Sequence, residues 1–160
     1  MAQFYEVYKE YSGTVYKFLL SLSGDQDLAS ELLQETFYRA LMNIDRFEGR
    51  SSLVTWLCQI GKNAYFKEYK RKKRITDLTT EQTLNEDSSS PEELVIRKDE
   101  CKRIRAILSR LEEPYQGVFS LRVFGEQSYK DIGGVYGKTE SWARVTYYRA
   151  KEQIIKEVEK

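Results

Sequence analysis

The chain is 160 residues long, 41% hydrophobic and 32% charged, with a net charge of +1 and no histidine, which builds one ordinary domain or two small ones. Two cysteines, Cys58 and Cys101, with no CxxC pairing and no histidine beside them, exclude a zinc site and a disulfide framework. The N-terminus has no basic segment leading into an apolar core, and no apolar run reaches the roughly 20 residues that span a bilayer, so membrane insertion is excluded and a soluble cytoplasmic protein expected.

Charge is unevenly spread. Residues 1–74 sum to +3, residues 75–100 to −6 and residues 101–160 to +4, the pattern of two mildly basic domains and an acidic connector. Helical periodicity dominates, with no convincing alternating strand. Phe4, Tyr8, Tyr11, Val15, Phe18 and Leu22 give a first helix one apolar stripe. Asp25 caps a second, whose stripe is Leu28, Leu32, Leu33, Phe37, Leu41 and Ile44. After the turn-like segment Asp45–Ser52, a third helix buries Leu53, Leu57, Ile60 and Ala64 and runs into the basic tract Lys70–Arg74. Three such helices close on a single core.

From Asp77 to Glu93 there are six acidic residues and no basic ones. Few large apolar groups are available to offset ordering entropy, so this reads as an extended, flexible linker. Ser90-Pro91-Glu92-Glu93 is a capping box with proline at the first helical position. The helix it opens carries Leu94, Cys101, Ile104, Ile107, Leu108 and Leu111. Both cysteines fall at apolar helical positions and are expected to pack as buried small hydrophobes. Pro114 opens a short helix with Val118, Phe119 and Leu121 that stops at Gly125. Ser128-Tyr129-Lys130-Asp131 caps another, carrying Ile132 and Val135. Gly137 supplies a left-handed turn, and Thr139 caps a last helix that buries Ala143, Tyr147, Ala150 and Ile154.

Two predicted surfaces carry chemistry. The last two helices and their glycine turn form a helix-turn-helix pattern. Its second helix exposes Ser141, Arg144, Val145, Tyr148 and Arg149, a mixture of phosphate anchors and base-edge readers. Similar helical pairs occur in proteins that bind no DNA. On the third helix, Trp56, Asn63, Lys67, Lys70 and Arg74 stand at offsets 0, 7, 11, 14 and 18 and share a face apart from the core stripe. A ring, an amide and cations in one stripe suit single-stranded nucleic acid, with bases stacked on the ring and the backbone held by lysines. A solvated basic face with Trp56 folded into the core fits the same spacing.

Together these motifs resemble the extracytoplasmic-function (ECF) class of RNA polymerase sigma factors. Glu31-Leu32-Leu33-Gln34-Glu35-Thr36-Phe37, then Asp45-Arg46-Phe47-Glu48-Gly49-Arg50-Ser51-Ser52, then Thr55-Trp56-Leu57 with Ile60 and Asn63, resemble that family's region 2. Leu111 through Ile154, including Ser128-Tyr129-Lys130-Asp131-Ile132 and Tyr148-Arg149-Ala150-Lys151, resembles its region 4. The resemblance implies an all-α protein of two small helical domains: a helical-bundle region 2 at 1–75 and a helix-turn-helix region 4 at 91–160, joined by the acidic linker at 76–90. It implies a non-enzymatic factor that binds core RNA polymerase and directs promoter-specific initiation through the −10 and −35 elements, with no metal and no cofactor.

The same resemblance implies roles. Glu31, Gln34, Glu35 and Tyr38 match positions that dock on the clamp helices of the polymerase's largest subunit. Phe47, Glu48, Gly49, Arg50, Ser51 and Ser52 match the loop that captures a flipped −10 base, with Trp56, Asn63, Lys67 and Lys70 beside it. Arg122, Tyr129, Lys130, Ser141, Arg144, Val145, Tyr148 and Arg149 match positions facing the −35 duplex. An anti-sigma factor is the partner to expect besides polymerase and promoter DNA. One stretch departs from the family pattern, which commonly enters the recognition helix with Val-Gly-Thr-Val, a basic residue, Ser and Arg. Here Thr139–Thr146 places Val145 and Thr146 where two polar or basic readers are usual, so the common −35 preference does not carry over.

Two other readings compete. A freestanding helix-turn-helix regulator of duplex DNA would use residues 111–154 and leave Glu31–Phe37 and the Trp56–Arg74 stripe unused. A small helical enzyme would have to work without histidine, a glycine-rich phosphate loop or a metal-ligand cluster.

Overall fold

The structure, a computed structural model, describes residues 2–78 and 92–160. The described residues form α-helices and one short 3-10 turn, with no strand. Helix α1 (Ala2–Ser23), α2 (Gln26–Asn43) and α3 (Leu53–Leu78) build the first half, and the turn Ile44–Arg46 ends α2. Asp25 is extended, and its carboxylate accepts the N–H of Leu28 at 3.1 Å, which caps α2 as its sequence requires.

Val15, Phe18, Leu19 and Leu22 bury the C-terminal part of α1 against Ala29, Leu32, Phe37 and Ala40 of α2. Phe4 and Tyr8 reach the edge of Phe37, at 6.1 and 4.9 Å between ring centres. Thr36 is fully buried and returns its hydroxyl to Leu32 O at 2.7 Å, so no polar atom is orphaned there. On α3 the buried set is Leu57, Cys58, Ala64, Tyr65 and Phe66, while Leu53 and Ile60 are only half-buried. The single stripe read from the sequence is corrected because α3 is packed by α1 and α2 and also by the second half of the chain.

That second half contains α4 (Glu92–Arg110), α5 (Tyr115–Val123), α6 (Tyr129–Val135) and α7 (Glu140–Glu159). Its core is Ile107, Leu108, Val118, Leu121, Ile132, Ala143, Ala150 and Ile154. Cys58 is buried, but Cys101 is exposed, contrary to expectation. It lines an open groove between α3 and α4, beyond the part of α4 that packs on α7. Of the linker read at 76–90, residues 76–78 continue α3. The rest, with Ser90 and Pro91 of the capping box, lies outside the described residues, as does the side chain of Leu94.

The two halves do not stand apart. One apolar cluster runs from Val15 and Phe18 through Leu57 to Leu108, Leu121 and Ile132, and α3 touches α4, α5 and α6. Polar groups tie the seam. Arg105 donates to Leu22 O at 2.8 Å, and Gln59 donates to the Tyr136 hydroxyl at 3.2 Å. The Tyr136 hydroxyl donates to Glu113 at 3.1 Å. Lys62 is completely buried, with its ammonium held by Glu113 and, at 3.4 Å, by Gln116. Burial pulls its pKa below the ordinary lysine value, and the Glu113 carboxylate opposes that fall. Only Lys62 is buried, since the Glu113 side chain is 44% exposed, so loss of Glu113 would strand the ammonium whereas loss of Lys62 would leave a carboxylate in water.

Candidate nucleic-acid interface

In the first half, the loop after α2 is shaped by Gly49, whose φ of +74° lies where side-chain-bearing residues rarely go. Its neighbours Glu48 and Arg50 form an exposed ion pair at 3.1 Å. The Phe47 ring lies 5.2 Å from Trp56, tilted 45°, so one aromatic from the loop and one from α3 share a wall. On one side of Trp56, a cavity of about 130 Å³ is lined by Arg46, Phe47, Arg50 and Ser51 together with Gly134 and Val135 of α6. On the other, a cavity of about 260 Å³ is lined by Arg39, Asn43, Arg46, Ile60 and Asn63. Trp56 is half-buried, packed against the core on one edge and bordering both cavities.

Asn63, Lys67, Lys70 and Arg74 are all exposed along α3, as their spacing requires. Lys67 and Arg74 also line a groove of about 520 Å³ shared with Glu31, Glu35 and Arg39 of α2. The acidic positions of α2 and the basic stripe of α3 therefore meet in one cleft, which the sequence did not disclose. Gln34 and Tyr38 stand on the outer side of α2, Tyr38 at 62% exposure. Glu35 is ion-paired to Arg39 one turn along its own helix, a partner legible only from the four-residue spacing. Glu68 and Arg71 pair at the three-residue spacing, at 2.8 Å, and that hydrogen bond holds the Glu68 carboxyl below its usual range.

In the second half the helix-turn-helix is built by local rules. The Ser128 hydroxyl accepts the N–H of Asp131 at 3.1 Å and caps α6. Gly137 turns with φ +68°, and Lys138 N–H returns to Gly133 O at 2.8 Å. Thr139 accepts Trp142 N–H at 3.0 Å and starts α7. Along α7, Ser141, Arg144, Val145, Tyr148 and Arg149 are all exposed, while Ala143, Ala150 and Ile154 are buried. Thr146 is buried too, so of the two departures from the family pattern only Val145 stands on the outer face. The half-buried Tyr129 ring receives two guanidinium groups, Arg122 at 4.1 Å and Arg144 at 4.9 Å. Arg122 also donates to Gln127 O at 3.0 Å, and Arg144 pairs with Glu140 at 3.2 Å. Lys130 is exposed beside them.

Residues 7–75 match the family model described as sigma-70 region 2, and residues 101–154 match that described as sigma-70, region 4. The ECF RNA polymerase sigma factor SigM of Bacillus subtilis is 30% identical over 152 residues, covering 93% of this chain and 91% of the relative. The chain belongs to the ECF sigma factors. Another relative, the RNA polymerase sigma factor YlaC of Bacillus subtilis, is 28% identical over 158 residues, 97% of this chain and 91% of that one. Two solved structures share the fold. The sigma factor RpoE in complex with the anti-sigma factor NepR from Bartonella quintana is 19% identical, with a TM-score of 0.58 over 99% of this chain and 98% of that one. CnrH in complex with the cytosolic domain of CnrY is 16% identical, with a TM-score of 0.55 over 98% of this chain and 87% of that one.

This sigma factor directs promoter-specific initiation by RNA polymerase, binding the core enzyme and promoter DNA. Among the described residues no helix is long and apolar enough to cross a membrane. Sequence reasoning had no means to find Lys62, Glu113, Gln116 and Tyr136 as a cluster. Glu113, Gln116 and Tyr136 lie 51 to 77 positions from their partners Lys62 and Gln59 on α3, beyond any periodicity.

Proposed function

We propose that the two surfaces divide promoter recognition between them, with region 2 at 1–75, a linker at 76–90 and region 4 at 91–160. Glu31, Gln34, Glu35 and Tyr38 dock on the clamp helices of the polymerase's largest subunit. The Phe47–Ser52 loop captures an extruded −10 base, and Trp56, Asn63, Lys67 and Lys70 hold the single strand beside it. A base held outside the stack offsets part of the lost stacking, which is how binding opens a duplex. Arg122, Tyr129, Lys130, Ser141, Arg144, Val145, Tyr148 and Arg149 face the −35 duplex, with the first turns of α7 in the major groove. The factor works by binding, in the cytoplasm, and leaves bond formation to the polymerase. An anti-sigma factor holds it inactive, a role carried over from solved relatives that were captured with NepR and CnrY.

The observation that carries this reading is the α7 face: five residues of mixed charge, hydroxyl and apolar character exposed together behind a left-handed glycine turn. In vitro transcription with core polymerase and the purified chain, with start sites mapped across genomic DNA, tests it. A shared pair of elements upstream of the mapped starts is expected. An effect of the chain on promoters without core polymerase would overturn it in favour of a freestanding regulator.

A further inference from the structure

Arg144 stands on the exposed face of α7, but its guanidinium is tethered twice. Its central carbon lies 4.9 Å from the centre of the Tyr129 ring, and one of its nitrogens donates to the Glu140 carboxylate at 3.2 Å. A cation this close to an aromatic ring is drawn to its electron-rich face. Arg122 shares the ring at 4.1 Å and is itself tied to Gln127 O at 3.0 Å. The ring is held in turn. Tyr129 is half-buried, with its centre 6.0 Å from that of Tyr147, which stacks on Phe119 at 5.8 Å and 12°. Tyr147 belongs to α7 and Phe119 to α5, so two neighbouring helices support one aromatic platform. These contacts all use the ring of Tyr129 and none its hydroxyl.

Arginine reads guanine through two parallel N–H bonds, which demand a fixed plane as well as a charge. A long side chain surrenders its rotamer freedom on binding, and a guanidinium already parked has less to lose. We propose that Tyr129 and Glu140 are positioning residues for −35 recognition: ring and carboxylate together orient the Arg144 guanidinium before DNA arrives. This rests on the reading of Arg144 as a base reader. Glu140 supports it, because a carboxylate on a DNA-facing helix repels phosphate and needs a compensating use. An acid in the first turn of α7 also favours the helix, but that role is indifferent to which base is bound. The rival role for Tyr129 is a phosphate contact from its hydroxyl. Removing the hydroxyl alone separates the two, since phenylalanine keeps the platform and loses the contact.

The test is base selection at a randomised −35 element by the full chain assembled with core polymerase. Tyr129→Leu should lower the preference at the position that Arg144→Ala relaxes by roughly two- to fivefold, the effect of one exposed cation–π contact. It should lower it no further when Arg144 is already alanine. Tyr129→Phe should restore the preference, with the wild-type salt slope. Glu140→Gln should lower the preference at the same position while tightening binding to every duplex. Glu140 is exposed, so this variant carries the test if melting curves show that Tyr129→Leu does not fold. Preference untouched by Tyr129→Leu and Glu140→Gln, or losses that add to that of Arg144→Ala, would overturn the proposal. So would uniform weakening with a lower salt slope in both Tyr129 variants and preference intact, which makes the hydroxyl a phosphate anchor. Unchanged preference in Arg144→Ala itself would overturn the base-reader reading, and the positioning roles with it.

Discussion

On α7, Ser141, Arg144, Val145, Tyr148 and Arg149 all face solvent, whereas the Phe47–Ser52 loop has its last residues drawn against α6 and bonded to Asp131. Both are proposed DNA surfaces, yet one is displayed and the other is partly covered by the same domain that displays the first. The difference follows from what each must do. A recognition helix reads an intact duplex and can be presented rigidly. A capture loop binds a base that exists only after the duplex opens, so covering it until then loses nothing.

The largest effect is expected on the displayed surface. Arg144→Ala should weaken the cognate −35 duplex by roughly 1–3 kcal/mol and relax the preference at one position, measured by selection on randomised −35 DNA and by anisotropy titration. Its exposed pairing with Glu140 contributes about 1 kcal/mol at most, so the melting temperature should barely move. On the covered surface, Trp56→Ala should reduce strand opening more than duplex recruitment, with a stacked base contributing roughly 1–3 kcal/mol. Permanganate reactivity of unpaired thymines reads this out. Trp56 also supports Phe47, so the exposed Asn63→Ala is the cleaner companion and should act in the same direction without a melting change. Equal loss of recruitment and opening in both variants would erase the distinction between the surfaces.

A fourth variant probes neither DNA surface. Glu35→Lys should weaken core-polymerase binding by about tenfold or less, since single exposed charges contribute about 1 kcal/mol, while promoter preference stays unchanged. Unaltered affinity in a titration would remove Glu35 from the docking set. The smallest effect is expected from Arg149→Ala. It should weaken all duplexes alike and lower the slope of log affinity against log salt by about 1, a shift that a sequence reader would not produce.

What the sequence disclosed of this fold was local. The caps at Asp25, Ser128 and Thr139 and the left-handed Gly137 each depend on neighbours a few residues away, and each was legible. The exposed faces of α3 and α7 followed from helical period alone. Three features were not legible, because their causes are distant in the chain. Gly134 answers to the Arg50 carbonyl, which a Cβ there would meet, Lys62 to Glu113, and the half-burial of Leu53 and Ile60 to a second half packed on α3. The family pattern marks both Val145 and Thr146 as departures, and the burial of Thr146 beside Ala143 and Ala150 leaves only Val145 on the outer face. The acidic linker, conspicuous in the sequence, falls outside the described residues.

The unlike settings of the two cysteines give the molecule a chemical clock. Burial pushes the Cys58 thiol up to about 12, while Cys101 sits exposed on α4 across a groove from Lys72 and Lys73. Because the thiolate is the reactive form, a maleimide at neutral pH should modify one site per chain and leave the other untouched. A dye placed on Cys101 by that route sits at the seam without any engineered residue. The slow second modification, at Cys58, then times the rarer events in which the first bundle itself comes apart.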